Sequence, residues 1–136
     1  ELNTFENKVQ GFAEDLHFED NTFDNVFCSF VWRNVSDTNK ALHEVYRVLR
    51  PGGKFVLLDM TRPKNPFLRV LHKIGTFTVL HLIGLVTFNL KEYRFLYNSL
   101  DFYPQPEEHL NKNNFIDLKI ERMGLFNFVY LAVFIK

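Results

Sequence analysis

One stretch of the chain constrains the fold more than any other. Phe23–Val31 is aromatic and β-branched and carries no charge after Asp24. Such a run predicts a strand buried on both faces, as in a parallel sheet. Ser36, Asp37 and Thr38 then offer N-caps for a helix. Ala41, Leu42, Val45, Val48 and Leu49 fall on one face of that helix. Arg50-Pro51-Gly52-Gly53 breaks it, and Lys54–Asp59 is a second apolar strand. Strand, helix, tight turn and strand make a βαβ unit, with parallel strands and a right-handed crossover.

The flanks are less regular. Val9–Ala13 could form a short strand, followed by a turn-rich acidic stretch to Thr22. Pro63 and Pro66 mark a linker. Phe67–Leu90 is apolar, with Arg69, His72, Lys73 and His81 inserted. Lys91–Ser99 predicts a helix ended by Pro104 and Pro106, and Glu107–Leu110 starts a short one. Ile116–Arg122 and Asn127–Ile135, joined through Gly124, predict an antiparallel hairpin. The chain of 136 residues fits one domain.

Composition excludes several function classes. Lys+Arg and Asp+Glu number 16 each, so the chain lacks the basic excess of a nucleic-acid-binding domain. The single cysteine, Cys28, supplies neither an intrachain disulfide nor a cysteine-based zinc site and suits a reducing compartment. The five histidines show no ligand spacing, so no metal is expected. No signal peptide is visible at Glu1-Leu2-Asn3. Ile74–Leu90 is 17 residues without a formal charge, short of the roughly 20 apolar residues of a membrane span. Thr76, Thr78, His81, Thr87 and Asn89 dilute it, so a core-packing or lid helix is expected ahead of a lipid-contacting one.

Chemistry gathers where the first strand ends. Ligands of open parallel sheets bind outside the carboxyl ends of the strands. There the chain reads Ser29-Phe30-Val31-Trp32-Arg33-Asn34-Val35. An exposed Trp32 with Arg33 and Asn34 is expected to face a ligand. The alternative, that Arg33 pairs with a loop carboxylate while Asn34 makes a turn, is equally open from chemistry alone.

At these residues the chain resembles the ubiE-type quinone C-methyltransferases. The resemblance runs through Gly11–Phe18, Asp20–Asp24, Ser29–Asp37, Tyr46–Gly53 and Leu58–Pro63, and weakly through Tyr93–Leu100 and Tyr103-Pro104. Arg47–Gly53 is common to many class I methyltransferases, whereas the Ser-Phe-x-x-Arg-Asn-Val run is more particular to the quinone group. The resemblance implies an α/β fold: the C-terminal portion of a Rossmann-like class I S-adenosylmethionine-dependent methyltransferase. The sheet is expected to be mostly parallel, with a C-terminal antiparallel hairpin. Residues 1–136 would form one partial domain, with 64–103 a helical lid or substrate-binding insertion.

The implied reaction is methylation of a polyprenyl benzoquinol or naphthoquinol ring carbon, with S-adenosyl-L-methionine as cofactor. Phe12 and Ala13 fall where the family holds adenine, and Ser29 at another cofactor contact. Arg33 falls at the family's substrate-facing Arg, implicated in deprotonating the ring hydroxyl, with Asn34 and Trp32 beside it. Phe12 replaces an Asp or Asn, and His17 replaces a Pro. The family's glycine-rich cofactor loop and its ribose-gripping acidic residue belong upstream of Glu1. Three expectations follow: a C-terminal part of a longer protein, a domain completed by another chain or a second copy, or a smaller sheet rebuilt with Glu1–Phe12. The implied location is cytoplasmic, or the mitochondrial matrix in a eukaryote, with peripheral membrane contact an option. Two other readings stand beside this one: another class I methyltransferase of small molecules or lipids, and a degenerate, non-catalytic partner subunit.

Overall fold

A computed structural model describes residues 9–136, apart from the side chain of Phe102. The elements are β1 (Phe23–Ser29), α1 (Thr38–Val48), β2 (Leu49–Met60), α2 (Pro66–Val86), α3 (Leu90–Phe102), α4 (Pro106–His109), β3 (Asp117–Met123) and β4 (Val129–Ile135). The expected strand near Val9 is not formed among the described residues. Val9–Phe18 is a loop with one isolated bridge, Phe12 to Asp15, and Glu1–Lys8 lies outside the described residues.

The four strands lie in the order β1-β2-β4-β3. β1 pairs parallel with β2, while β4 is antiparallel to both β2 and β3. The expectation of a mostly parallel sheet is therefore corrected. The last strand inserts between β2 and β3 instead of extending the edge. Residue chemistry explains the order. β4, Val129–Ile135, is uncharged and takes the central position. β3 alternates Asp117, Lys119 and Glu121 with Leu118 and Ile120, and takes the edge, where charge discourages further pairing.

One sheet face carries Phe55, Leu57, Ala132 and Phe134 and is fully buried, with Leu42 and Val45 of α1 in the same core. Each of the larger ones, Phe, Leu or Val, contributes about 1.5–3 kcal/mol relative to exposure. Asp37 caps α1 by accepting from the backbone N–H groups of Asn39 and Lys40. At the Pro-Gly-Gly turn, Gly52 has φ +79°, and a Cβ on Gly53 would lie 2.9 Å from the Asp24 carbonyl oxygen. Glycine there lets the turn close against the start of β1.

The opposite sheet face differs from expectation. β1 is not buried on both sides: Phe27 is 74% exposed, and Val56, Leu58, Leu131 and Val133 are only half-buried. β1 also pairs with β2 alone among the described residues.

Asn65 caps α2, with Pro66 in its first turn. α2 packs on α3, and Gly84 permits the approach: a Cβ there would meet the Leu90 Cα at 3.2 Å. The outer side of α2 stays apolar and open, with Val70, Ile74 and Leu82 each more than half exposed. A core-packing role for this helix is thereby overturned. By length and composition α2 is sufficient to cross a membrane.

Candidate active site

The parallel pairing of β1 and β2 brings both carboxyl ends to one edge of the sheet. Pairing continues one residue past β1, where the Phe30 N–H donates to the Leu58 carbonyl at 2.8 Å. Phe30 then takes φ +58°, a left-handed conformation unusual for a bulky residue, and the chain turns sharply. A short 3-10 turn, Trp32–Asn34, follows.

Trp32 is 1% exposed and packs against Phe55, the two rings tilted at 51° with centroids 5.5 Å apart. The expectation of an exposed, substrate-facing Trp32 is corrected: the ring belongs to the core and anchors the turn. Its neighbour Arg33 is thereby held over the end of β2. The Arg33 backbone N–H donates to Asp59 Oδ2 at 3.1 Å, and Nη1 donates to Asp59 Oδ1. Nε donates to Ser99 Oγ of α3 at 3.1 Å. The pairing carboxylate thus comes from β2 rather than a loop. The Arg33 side chain is 5% exposed and that of Asp59 is fully buried. A charge so placed is tolerable only with a close counter-charge and satisfied hydrogen bonds. The Met60 N–H supplies a further donor to Asp59, at 2.7 Å.

The ground around Asp59 is polar and dry. Tyr130 lies directly across from it in the β2–β4 ladder. Burial pushes the Tyr130 phenol above its usual range, with Tyr103 and Asp59 adding to the effect. Burial raises the Tyr103 phenol as well, again reinforced by Asp59. Both therefore stay protonated across the neutral range. Burial, then the Asp59 charge, pushes the Cys28 thiol up to about 11, so it carries no thiolate nucleophile near neutral pH.

Phe12 and Ala13 are tied to the same end of the sheet. Glu14 Oε1 accepts from the backbone N–H groups of Ser36 and Asp37, at 2.9 and 3.1 Å. These residues lie just beyond Asn34. The bond from Asp37 is the main reason the Glu14 carboxyl sits below its ordinary range. Leu16 N–H donates to Glu44 at 3.0 Å, fixing the loop to α1. Phe12 is 79% exposed, Ala13 is half-buried, and Ser29 and Asn34 are exposed. So the turn, Ser29 and the Phe12–Ala13 loop share one end of the sheet. Phe12 and Ser29 are thus both open to solvent at this end.

Sequence reasoning missed the residue that joins the helices to this edge. Arg62, 3% exposed, follows β2 and reaches both α2 and α3. Its Nε donates to Asp101 at 2.9 Å, its Nη1 to Thr76 at 2.8 Å, and its Nη2 to the Tyr97 carbonyl at 3.2 Å. Nη1 also lies 3.2 Å from His72 Nδ1. Burial and the Arg62 charge hold His72 below the usual histidine range. A cavity of about 290 Å³ beside Arg62 is lined also by Arg69, Lys73, Asp101 and Gln105. It contains none of the expected site residues. A separate apolar groove of about 240 Å³ runs between Leu71, Gly75 and Val79 of α2 and Leu125, Phe126 and Phe128.

This architecture matches solved methyltransferase folds. A crystal structure of an S-adenosylmethionine-dependent methyltransferase from Thermotoga maritima aligns with TM-score 0.62 at 18% identity, covering 94% of this chain and 63% of its own. Sequence comparison is more specific. A ubiquinone/menaquinone biosynthesis C-methyltransferase of Rickettsia bellii is 41% identical over 111 residues, covering 79% of this chain and 45% of the relative. The Pasteurella multocida protein of the same name is 39% identical over 122 residues, 89% of this chain and 45% of the relative. The chain thus spans less than half the length of these curated relatives. The model of the ubiE/COQ5 methyltransferase family matches residues 5–124, taking in Phe12, Ser29, the Arg33–Asp59 pair and helices α2 and α3, and the chain belongs to that family.

Proposed function

We propose that this chain supplies the acceptor-facing part of a methyltransferase that methylates a ring carbon of a polyprenyl benzoquinol or naphthoquinol. The observation that carries this reading is Arg33. Its guanidinium is screened from water and held at the carboxyl edge of the parallel pair. The curated relatives, named for C-methylation in ubiquinone and menaquinone biosynthesis, support the substrate class.

A ring carbon is a weak nucleophile until the adjacent hydroxyl gives up its proton. Arg33 stabilises the resulting phenolate through its guanidinium, which strengthens attack from the ring carbon. Donors fixed in a dry site achieve this without reorganising during the reaction. Ser29, Phe12 and Ala13 are the residues that would hold S-adenosyl-L-methionine on this flank, Phe12 by packing on the adenine. When bound, the cofactor would supply a methyl group from its sulfonium and leave as the neutral thioether S-adenosylhomocysteine, while the ring carbon that gains the methyl would release its proton to water. Asn34, exposed one residue beyond Arg33, would orient the acceptor hydroxyl.

α2 and α3 serve as the lid, and the open apolar side of α2 is the surface for the polyprenyl tail or the membrane in which it dissolves. The uncovered sheet face around Phe27 suits a completing segment or second chain that finishes the cofactor site. In this reading the protein works in the cytoplasm or matrix, at the membrane surface.

Mass spectrometry of quinol acceptors incubated with the protein and S-adenosyl-L-methionine tests the reading. A ring-methylated quinol is the expected product. Methylation of other small molecules with quinols untouched would favour the wider class I reading. Phe12, standing where the family has a hydrogen-bonding Asp or Asn, favours a degenerate subunit instead, and calorimetry showing no cofactor binding to the completed protein would establish that outcome.

A further inference from the structure

We propose that Asp59 and Ser99 act as positioning residues for Arg33, so that seating of α3 sets the readiness of the guanidinium. The functional half of this inference rests on the reading of Arg33 given above.

Three nitrogens decide the argument. Among the described residues, Asp59 takes the Arg33 backbone N–H and Nη1, and Ser99 takes Nε. Nη2 is the one guanidinium nitrogen with no hydrogen-bond partner among the described residues. A guanidinium is planar, so fixing two of its nitrogens fixes the direction of the third. Asp59 is well suited to this role because it is itself immobile. It lies in β2, paired with Tyr130 of β4, is fully buried, and takes a hydrogen bond from the Met60 N–H. Ser99 differs in kind. It belongs to α3, whose attachment to the sheet runs through Arg62 to Asp101 and to the Tyr97 carbonyl. Its hydroxyl donates to the Leu96 carbonyl at 2.9 Å, which leaves its oxygen free to accept from Arg33 Nε. One contact is therefore permanent and the other depends on where the helix sits. A lid that shifts by even an ångström releases Nε and frees the guanidinium to rotate about its side chain.

Two measurements test this. The first needs no activity: the Arg33 Nε–H resonance of the arginine-labelled protein, assigned by its loss in Arg33→Lys. It is expected to be protected from solvent exchange. Exchange should accelerate at least tenfold in Ser99→Ala, and the signal should broaden in Asp59→Asn. Unchanged protection in Ser99→Ala overturns the coupling to α3, and this variant keeps the test decisive should Asp59→Asn fail to fold.

The second is turnover with a quinol acceptor. Ser99→Ala should lower kcat about tenfold while the KM for S-adenosyl-L-methionine stays constant, and Ser99→Thr should restore it. Loss of resonance protection with full turnover overturns the functional half and leaves the quinol reading intact. A wild-type protein that methylates no quinol defeats the quinol reading, while the resonance arm still decides the clamp.

Discussion

Arg33 and Asp59 form a buried ion pair that joins the turn after β1 to the end of β2, 26 residues further along the chain. Both hydrogen-bond through more than the pair itself, Arg33 to Ser99 and Asp59 to two backbone N–H groups. The site is therefore a structural joint as well as a charged centre. In the proposed reading, altering either residue would affect folding and chemistry together, and the two effects are separable by measurement.

Arg33→Ala leaves the Asp59 carboxylate charged, buried and without its counter-ion. Removing one partner of such a pair costs about 3–5 kcal/mol, more than replacing both by apolar residues. Urea denaturation should therefore show a large loss for Arg33→Ala and a smaller one for Arg33→Met combined with Asp59→Leu. If the single and double variants unfold at the same urea concentration, the pair is not the joint described. Turnover should fall about 10²–10³-fold in Arg33→Ala, as when a preorganised oxyanion donor is lost, with cofactor affinity kept.

Arg62 makes a second prediction, because one buried side chain reaches both α2 and α3. Arg62→Met removes the donors to Asp101, Thr76 and the Tyr97 carbonyl while preserving much of the packing volume. Hydrogen exchange should then rise along α2 and α3, with β2 and β4 remaining protected. Equal protection throughout would mean that helix packing alone seats the lid.

Much of this was readable in the residues, and the failures have physical causes. β1, α1, α3 and the terminal hairpin followed from periodicity, capping and turn chemistry, all of which act locally. Trp32 did not: an indole after an apolar strand looks exposed until the turn folds it back onto Phe55. The Arg62 contacts were invisible because their partners lie 10 to 39 residues away. The insertion of β4 beside β2 is likewise a long-range choice, although charge alternation on β3 was a usable sign of an edge strand. Family resemblance, not spacing, led to Phe12, Ala13 and Ser29, and the fold places them at one end of the sheet without enclosing them.

Acid should loosen α2 before the sheet. Burial first, and the Arg62 charge second, hold His72 below its ordinary value, while Asp101 pulls weakly the other way. The folded protein thus prefers neutral His72, and the unfolded chain binds the extra proton. Stability then falls as pH drops below the unfolded value of about 6.5 and levels off below the lowered folded value. His109 is lowered too, chiefly by burial, and adds to the same window. Glu107, kept at about 2 by its hydrogen bond from Arg122 against the cost of burial, contributes stability that is lost only as pH falls from about 4.5 toward 2. Thermal melting between pH 7.5 and 5 should show the first loss, reduced in His72→Gln. A flat profile in that range would contradict the histidine assignment.

The open side of α2 gives the last prediction. Phe67, Val70 and Ile74 are 76%, 58% and 61% exposed, so their side chains contribute little to the fold. Replacing all three with Ser should change stability by no more than about 0.5 kcal/mol per site, the ordinary range for surface positions. A long polyprenyl tail that lies along this surface would lose about 25 cal/mol of binding for each Å² of apolar contact removed. The KM for a long-tailed quinol should consequently rise by an order of magnitude, while a quinol with a single isoprene unit, too short to reach the helix, is used as before. Equal losses for both acceptors would place the effect at the ring site. No loss for either would assign this face of α2 to a partner or a membrane surface rather than to the tail.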